Sequence, residues 1–85
     1  MDKIKKYRFL IDKCDKKICK NLIKRFQIVK LIGEYKKANH IQVLDNRREN
    51  LVKQKVRQLV KNSMPKNSIE KIYQCIMNEA KDIQK

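Results

Sequence analysis

The sequence contains very few of the residues that make tight turns. One glycine and one proline occur among its 85 residues. Because β-hairpins and sheets need turn residues between their strands, this scarcity argues against a fold built from strands. Residues that favour helices dominate the rest of the chain. The sequence therefore predicts an all-α fold in a single domain that spans residues 1–85.

Metal ligands and disulfide partners are also scarce. The chain has three cysteines, no Cys-x-x-Cys motif, and a single histidine, His40. An odd number of unpaired cysteines is typical of reduced thiols, so we expect a cytoplasmic protein. We expect no metal site and no cofactor, because the sequence has neither a metal-ligand cluster nor a phosphate-binding loop. No apolar run approaches the ~20 residues of a membrane span, and we expect no membrane association.

Positive charge is the strongest compositional feature. Lysine and arginine outnumber aspartate and glutamate 23 to 9, which gives a formal net charge of +14. This excess favours an anionic partner: nucleic acid, acidic lipid or a small anionic substrate. Charge alone does not choose among them. One group of lysines recurs at helical spacing and is interpreted as a solvated stripe. Its members are Lys13, Lys17, Lys20 and Lys24.

Apolar periodicity divides the chain into three helices, predicted over residues 2–37, 46–61 and 66–84. The last two are separated by a break over residues 62–67 that contains Pro65. At about 1.5 Å per residue the first helix is ~50 Å long, far more than a compact chain of this size can cover. The sequence therefore predicts that another chain lies along part of the first helix, and hence a dimer.

Each predicted helix carries an apolar stripe that we expect to face inward. The stripe of the first helix is Ile11, Ile18, Leu22, Val29 and Ile32. That of the second is Val52, Val56, Leu59 and Val60. That of the third is Ile69, Ile72, Tyr73, Ile76, Ala80 and Ile83. Gly33 is a weak interruption of the first helix, expected to cost about 1 kcal/mol.

Two cations of the first helix lie on its apolar stripe. At about 100° per residue, Arg25 and Lys36 point to the same side as Val29 and Ile32. A buried cation without a partner is costly. An ion pair with Glu49, or extension of the side chain to the surface, would satisfy one such residue. Two cations on one seam also fit a bound anion.

Two polar residues of the other helices can face the same interior. Glu49 precedes Val52 at helical spacing, although it could instead form a capping box with Asn46. Gln84 follows Ala80 by about one turn. With no Ser/His/Asp or Cys/His arrangement in the sequence, such a pocket is expected to bind a ligand and stabilise charge, not to attack covalently.

Several short motifs, none of them specific alone, occur together in a recognisable order. They are Arg8-x-x-Ile11-Asp12-x-x-Asp15-x-x-Ile18 continuing to Leu22 and Arg25, Ile32-Gly33-x-Tyr35-Lys36, Asp45-Asn46-Arg47-Arg48-Glu49, and Ile69-Glu70-Lys71-Ile72-Tyr73 with Gln84. The ordered set resembles the all-helical chorismate mutase family. The family implies an intertwined three-helix homodimer with two active sites. It also implies a Claisen rearrangement of chorismate to prephenate without a covalent enzyme intermediate.

The resemblance implies roles for the basic residues. Arg8, supplied by the partner chain, and Arg25 would hold the two substrate carboxylates, with Arg48 supporting them. Arginine suits this task because its guanidinium forms paired hydrogen bonds to a carboxylate. Ala80 stands where some members of the family carry a serine that contacts a carboxylate, so we expect this contact to be missing.

Other residues would act on the breaking bond and on the ring. The resemblance implies that Lys36 and Gln84 donate to the ether oxygen, where negative charge grows in the transition state. Glu49 would accept from the ring hydroxyl, helped by backbone near Asp45. Holding the flexible substrate in its reactive conformer adds an orientation effect.

Three alternatives compete with the mutase interpretation. Isochorismate pyruvate lyase shares the fold, but the segment from Asp45 to Glu49 looks more like that of a mutase. A basic nucleic-acid-binding module would use the positive charge, yet no helix-turn-helix spacing stands out and aromatic residues are few. An inactive coiled-coil scaffold is disfavoured by Arg25 and Lys36 within the seam. We therefore expect chorismate as the ligand and no nucleic-acid partner.

Overall fold

The structure, a computed structural model, describes residues 2–61 and 65–85. It contains α1 (Lys3–Ala38), α2 (Asn46–Val60) and α3 (Lys66–Gln84), and these described residues form no strand. The predicted all-α fold with three helices is confirmed. Of the predicted break between the last two helices, residues 62–64 lie outside the described residues.

An aspartate side chain caps the N-terminus of each of the first two helices. The Asp2 carboxylate accepts a hydrogen bond from the Ile4 backbone N–H at 3.1 Å. The Asp45 carboxylate accepts from the Arg48 backbone N–H at 3.0 Å. Both contacts satisfy a donor that the first turn of a helix leaves unpaired. Because Asp45 caps α2, Glu49 is not needed for a capping box with Asn46.

The core of the single chain lies where α2 meets α3. Val52, Val56 and Met77 form its buried centre, and Ile69 and Tyr73 pack partly buried against it. α3 contacts both other helices, whereas α1 and α2 do not approach each other closely among the described residues. α3 is therefore the element that holds the chain together.

The buried face of α2 follows a row of residues four apart. Val52, Val56 and Val60 are buried on this row, but Leu59 is 81% exposed. The prediction that Leu59 belongs to the inner stripe of this chain is wrong, and so is that for Ile72 of the third helix, which is 58% exposed. A row with spacing four turns slowly around the helix, and α3 packs along that row. Met77, which the predicted stripe of the third helix omitted, is buried at 5% exposure.

α1 extends well beyond the other two helices. Its 36 residues make a rod of ~54 Å, and the longest dimension of the chain is 58 Å. Its first half exposes the large apolar side chains of Ile4, Tyr7, Phe9, Leu10, Ile11 and Ile18. An exposed apolar surface of this extent typically marks an interaction site. None of the described helices is both long enough and apolar enough to span a membrane.

Gly33 allows α1 and α3 to approach each other closely. A Cβ atom at this position would lie 2.8 Å from Cα of Gln84 and 3.2 Å from its carbonyl oxygen. The first of these distances is shorter than any ordinary contact, and both partners are backbone atoms that cannot swing aside. The glycine that weakens α1 thus lets the last turn of α3 lie against it, beside Lys36.

Replacing Gly33 by alanine is expected to destabilise the protein by up to about 2 kcal/mol. The steric cost of an added group in a packed contact is about 1 to 3 kcal/mol, and it exceeds the ~1 kcal/mol gained in helix propensity. Urea unfolding measures the difference, with Glu34→Ala, at an exposed neighbouring position, as the control. A Gly33→Ala protein at least as stable as the unsubstituted one would contradict the contact.

Candidate functional site

A cavity of about 230 Å³ lies between the second half of α1, the start of α2 and the end of α3. Most of the residues that the sequence singled out line it together. They are Arg25, Lys36, Asp45, Arg48, Glu49, Ala80 and Gln84. These positions come from three helices and from the residue that caps α2, so the fold assembles in space what the sequence separates.

Arg8 is the one predicted site residue that does not line this cavity. It lies exposed in the first part of α1. Along a straight helix, Arg8 and Arg25 are about 25 Å apart at roughly 1.5 Å per residue. The Arg8 of one chain is thus too far along α1 to reach the cavity of the same chain.

Lys36 connects α1 to both other walls of the cavity. Its ammonium donates to the Val43 carbonyl oxygen at 3.1 Å and to Oε1 of Gln84 at 2.7 Å. An ammonium has three donors, so one remains after these two contacts. Val43 lies in the connection before α2, and sequence reasoning missed it because backbone carbonyl acceptors leave no trace in residue identity.

Both the oxygen and the nitrogen of the Gln84 side-chain amide make hydrogen bonds within the chain. Oε1 accepts from Lys36, and Nε2 donates to the Ala80 carbonyl oxygen at 3.2 Å. Since an ammonium can only donate, Oε1 must be the atom that faces it. In this arrangement Gln84 acts as an acceptor within the cavity. To donate to a ligand there, its amide must rotate about the last side-chain bond.

Glu49 faces the cavity and is paired with a residue that the sequence analysis overlooked. The Lys81 ammonium lies 3.0 Å from Oε1 of Glu49, and the two side chains are 30% and 18% exposed. The approach is ionic, because it is not aligned as a hydrogen bond. Lys81 follows Ala80 by one position, so an apolar stripe alone gives no reason to place it inside. Glu49 therefore does not take Arg25 or Lys36 as its counter-ion in this arrangement.

Arg25 carries a buried donor that the fold does not use. Nη1 of its guanidinium is buried, and it has no hydrogen-bond partner among the residues that the structure describes. Leaving such a group unsatisfied costs about 1 to 3 kcal/mol, and more for a charged one. This donor lies in the lining of the cavity, where an oxygen of a bound anion would satisfy it.

The charge of the lining also favours a small anion. Four basic residues, Arg25, Lys36, Arg48 and Lys81, and two acidic ones, Asp45 and Glu49, surround the cavity, a net formal charge of +2. A dianion would neutralise it, because fixed cations attract an anion bound between them. The described residues contain no cluster of histidine, cysteine or carboxylate side chains that could hold a metal ion.

Comparison with protein families gives one match. The model of chorismate mutase type II matches residues 7–85. The matched range includes Arg8 and every residue that lines the cavity. Neither the curated proteins nor the solved structures give a match.

Replacing Arg25 by methionine is expected to make the ligand-free protein more stable. The substitution removes an unsatisfied buried donor, and a gain of about 1 kcal/mol would raise the Tm by ~4 to 8 °C in a protein of this size. Arg47→Met is the control, because Arg47 is exposed on α2 and should change the Tm little. A lower Tm for Arg25→Met would mean that the guanidinium has a partner that supports the fold.

Proposed function

Because this chain belongs to the chorismate mutase type II family, we propose that it catalyses the rearrangement of chorismate to prephenate. The observation that carries the proposal is Nη1 of Arg25, buried without a hydrogen-bond partner among the described residues, in a cavity whose lining has a net positive charge. Chorismate is a dicarboxylate, so it supplies the two negative charges that this lining lacks. Family membership supports mutase activity in general, and the roles of single residues below are our proposal.

Arg25 and Arg48 bind a substrate carboxylate in this mechanism. The planar guanidinium presents donors in a fork that matches the two oxygens of a carboxylate. The free donor of Arg25 is already buried before substrate arrives. Little further desolvation is then needed, and the cation is set in place in advance.

Lys36 stabilises the charge that develops as the bonds rearrange. In the pericyclic step the ether carbon–oxygen bond breaks while a carbon–carbon bond forms, and electron density builds on the ether oxygen. A donor of Lys36 is directed to that oxygen, while the Val43 carbonyl holds the ammonium in place. A donor fixed in this way needs no reorganisation at the moment of reaction.

Gln84 supplies a second donor to the same oxygen after its amide rotates. Rotation would break both present contacts of the amide, with Lys36 and with the Ala80 carbonyl, and would turn Nε2 towards the ligand. Lys36 would then have two donors free for the ligand. Glu49 accepts from the ring hydroxyl, which orients the ring, and the backbone near Asp45 assists. Orientation of a flexible substrate in its reactive conformer is a large part of such catalysis.

The active unit in this proposal is a homodimer that shares its sites. The first half of α1 exposes an apolar surface that an antiparallel α1 of a second chain would cover. The same arrangement would bring the partner's Arg8 towards the cavity, since Arg8 and Arg25 of one helix are about 25 Å apart. The second carboxylate of the substrate would then be held by Arg8 across the interface.

The direct test of function is to add the purified protein to chorismate and follow the loss of chorismate absorbance. Prephenate as the product would support the proposal. Release of pyruvate from isochorismate, without prephenate formation, would identify the lyase reaction instead. No reaction with either compound would contradict the proposed activity.

Substitution of two lysines separates a catalytic cation from a solvated one. Lys36→Ala should lower kcat by at least about 100-fold, the scale seen when one donor to a developing oxyanion is lost. Lys17→Ala, at an exposed position of α1, should change kcat less than about twofold, because it affects only the long-range attraction of the anion. Equal losses in the two variants would remove Lys36 from the mechanism.

A mixture of two inactive variants tests the shared site. Arg8→Ala and Arg25→Ala should each be nearly inactive alone. When they are unfolded together and refolded, about half of the dimers are mixed, and one of the two sites in each mixed dimer has both arginines. Roughly a quarter of the original activity should return.

Sedimentation equilibrium provides the control for this mixing experiment. The unsubstituted chain and both variants should sediment as dimers at micromolar concentration, with no stable folded monomer on dilution. Chains labelled with two different dyes report whether mixed dimers have formed. Mixed dimers without recovered activity would contradict the shared site, and a folded monomer would contradict the dimer.

A further inference from the structure

Lys81 and Arg25 lie in one cavity but differ in what they contact. The Lys81 ammonium pairs with Glu49 at 3.0 Å. The buried Nη1 of Arg25 has no hydrogen-bond partner among the described residues. Glu49 thus has an ionic partner in Lys81, whereas Arg25 has no ion pair among the described residues; neither Oε1 of Glu49 nor Nη1 of Arg25 has an aligned hydrogen bond there.

This allocation is the opposite of what the side chains alone would favour. A guanidinium forms paired hydrogen bonds to a carboxylate, whereas an ammonium acts as a point charge. The other carboxylate of the cavity belongs to Asp45, which already accepts from the backbone N–H of Arg48 as the cap of α2. Glu49 lines the same cavity as Arg25 and has Lys81 as its ionic partner, so it is the carboxylate that we expect Arg25 to pair with when Lys81 and substrate are both absent.

We infer that Lys81 is a positioning residue that occupies Glu49 and thereby keeps Arg25 available for a substrate carboxylate. The inference rests on the proposed function, because it takes Arg25 as the carboxylate ligand. Lys81 itself contacts no reacting atom in this scheme. It affects substrate binding indirectly: when Lys81 is the counter-ion of Glu49, Arg25 is not.

The position of Lys81 on α3 suits this role. It stands one residue after Ala80 and three before Gln84 in the final turns of α3, and it lines the cavity from that helix. Arg25 lines the same cavity from α1. Loss of the ammonium would leave Glu49, only 18% exposed, with little water to solvate it. A buried carboxylate in that position favours pairing with another cation of the lining, and Arg25 is the one with an unused buried donor among the described residues.

The first kinetic test compares three single variants in the full chain. Lys81→Met removes the charge and keeps the length of the side chain, and it should raise KM about tenfold or more, since a charge-assisted contact of Arg25 must be broken before substrate binds. Its kcat should stay within about threefold, because Arg25 is released once substrate saturates the site. Lys81→Arg should keep a near-normal KM. Lys71→Met, at an exposed position on the same helix, is the charge-matched control and should change neither constant.

The double variant Lys81→Met/Glu49→Gln gives the decisive outcome. Removing the carboxylate frees Arg25 again, so KM should fall back towards that of Glu49→Gln alone, although kcat stays low without Glu49. If Lys81 instead bound substrate directly, the double variant would keep the raised KM of Lys81→Met, and the inference would be overturned. An unchanged KM in Lys81→Met would overturn it as well.

A measurement without substrate separates this inference from the proposed function. The Nε–Hε resonance of Arg25 in ¹⁵N-labelled protein, assigned by its loss in Arg25→Lys, reports whether the guanidinium pairs with a carboxylate. It should shift, and its exchange with water should slow, in Lys81→Met, and it should return in the double variant. This result in a protein without mutase activity would support the pairing and reject the function. Mutase activity together with an unchanged Arg25 resonance in Lys81→Met would support the proposed function and reject the pairing of Arg25 with Glu49.

Discussion

The last turn of α3 can lie against α1 because residue 33 has no side chain. A Cβ there would stand 2.8 Å from Cα of Gln84, and the distance between the two helices at this point sets where Gln84 can reach. The Lys36–Gln84 hydrogen bond of 2.7 Å depends on that closeness. α3 also carries Met77 into the core with α2. The absence of a Cβ atom at Gly33 therefore allows α3 to take the position in which it lines the cavity.

The charged lining of this cavity lowers the stability of the chain when no ligand is bound. Its lining carries a net positive charge, and the buried Nη1 of Arg25 lacks a partner among the described residues. A fold selected for stability alone would place apolar or paired groups there. Stability given up at a ligand site is common, because groups set in place for the ligand are unsatisfied without it. The charge pattern is thus evidence about the ligand more than about the fold.

Apolar periodicity predicted the three helices. It also predicted that Arg25, Lys36 and Glu49 face the interior, because the direction of a side chain on a helix follows from its spacing along the sequence. It failed where the answer depends on how two helices lie against each other. Leu59 and Met77 differ in burial according to the row along which α2 and α3 pack. Two further features, the steric role of Gly33 and the pairing of Lys81 with Glu49, depend on distances between helices. The spacing of residues along one helix does not predict those distances.

The exposed first half of α1 has the same origin as the proposed sharing of the site. Only the second half of the 36-residue α1 lines the cavity with the other helices, and its first half presents apolar side chains that this chain leaves exposed. On one straight helix, two arginines about 25 Å apart cannot grip one small dicarboxylate. An antiparallel second copy would resolve both problems at once, since it buries the apolar surface while turning one chain's Arg8 towards the other chain's Arg25. In that arrangement the length of α1 is a requirement of the site as well as of the interface.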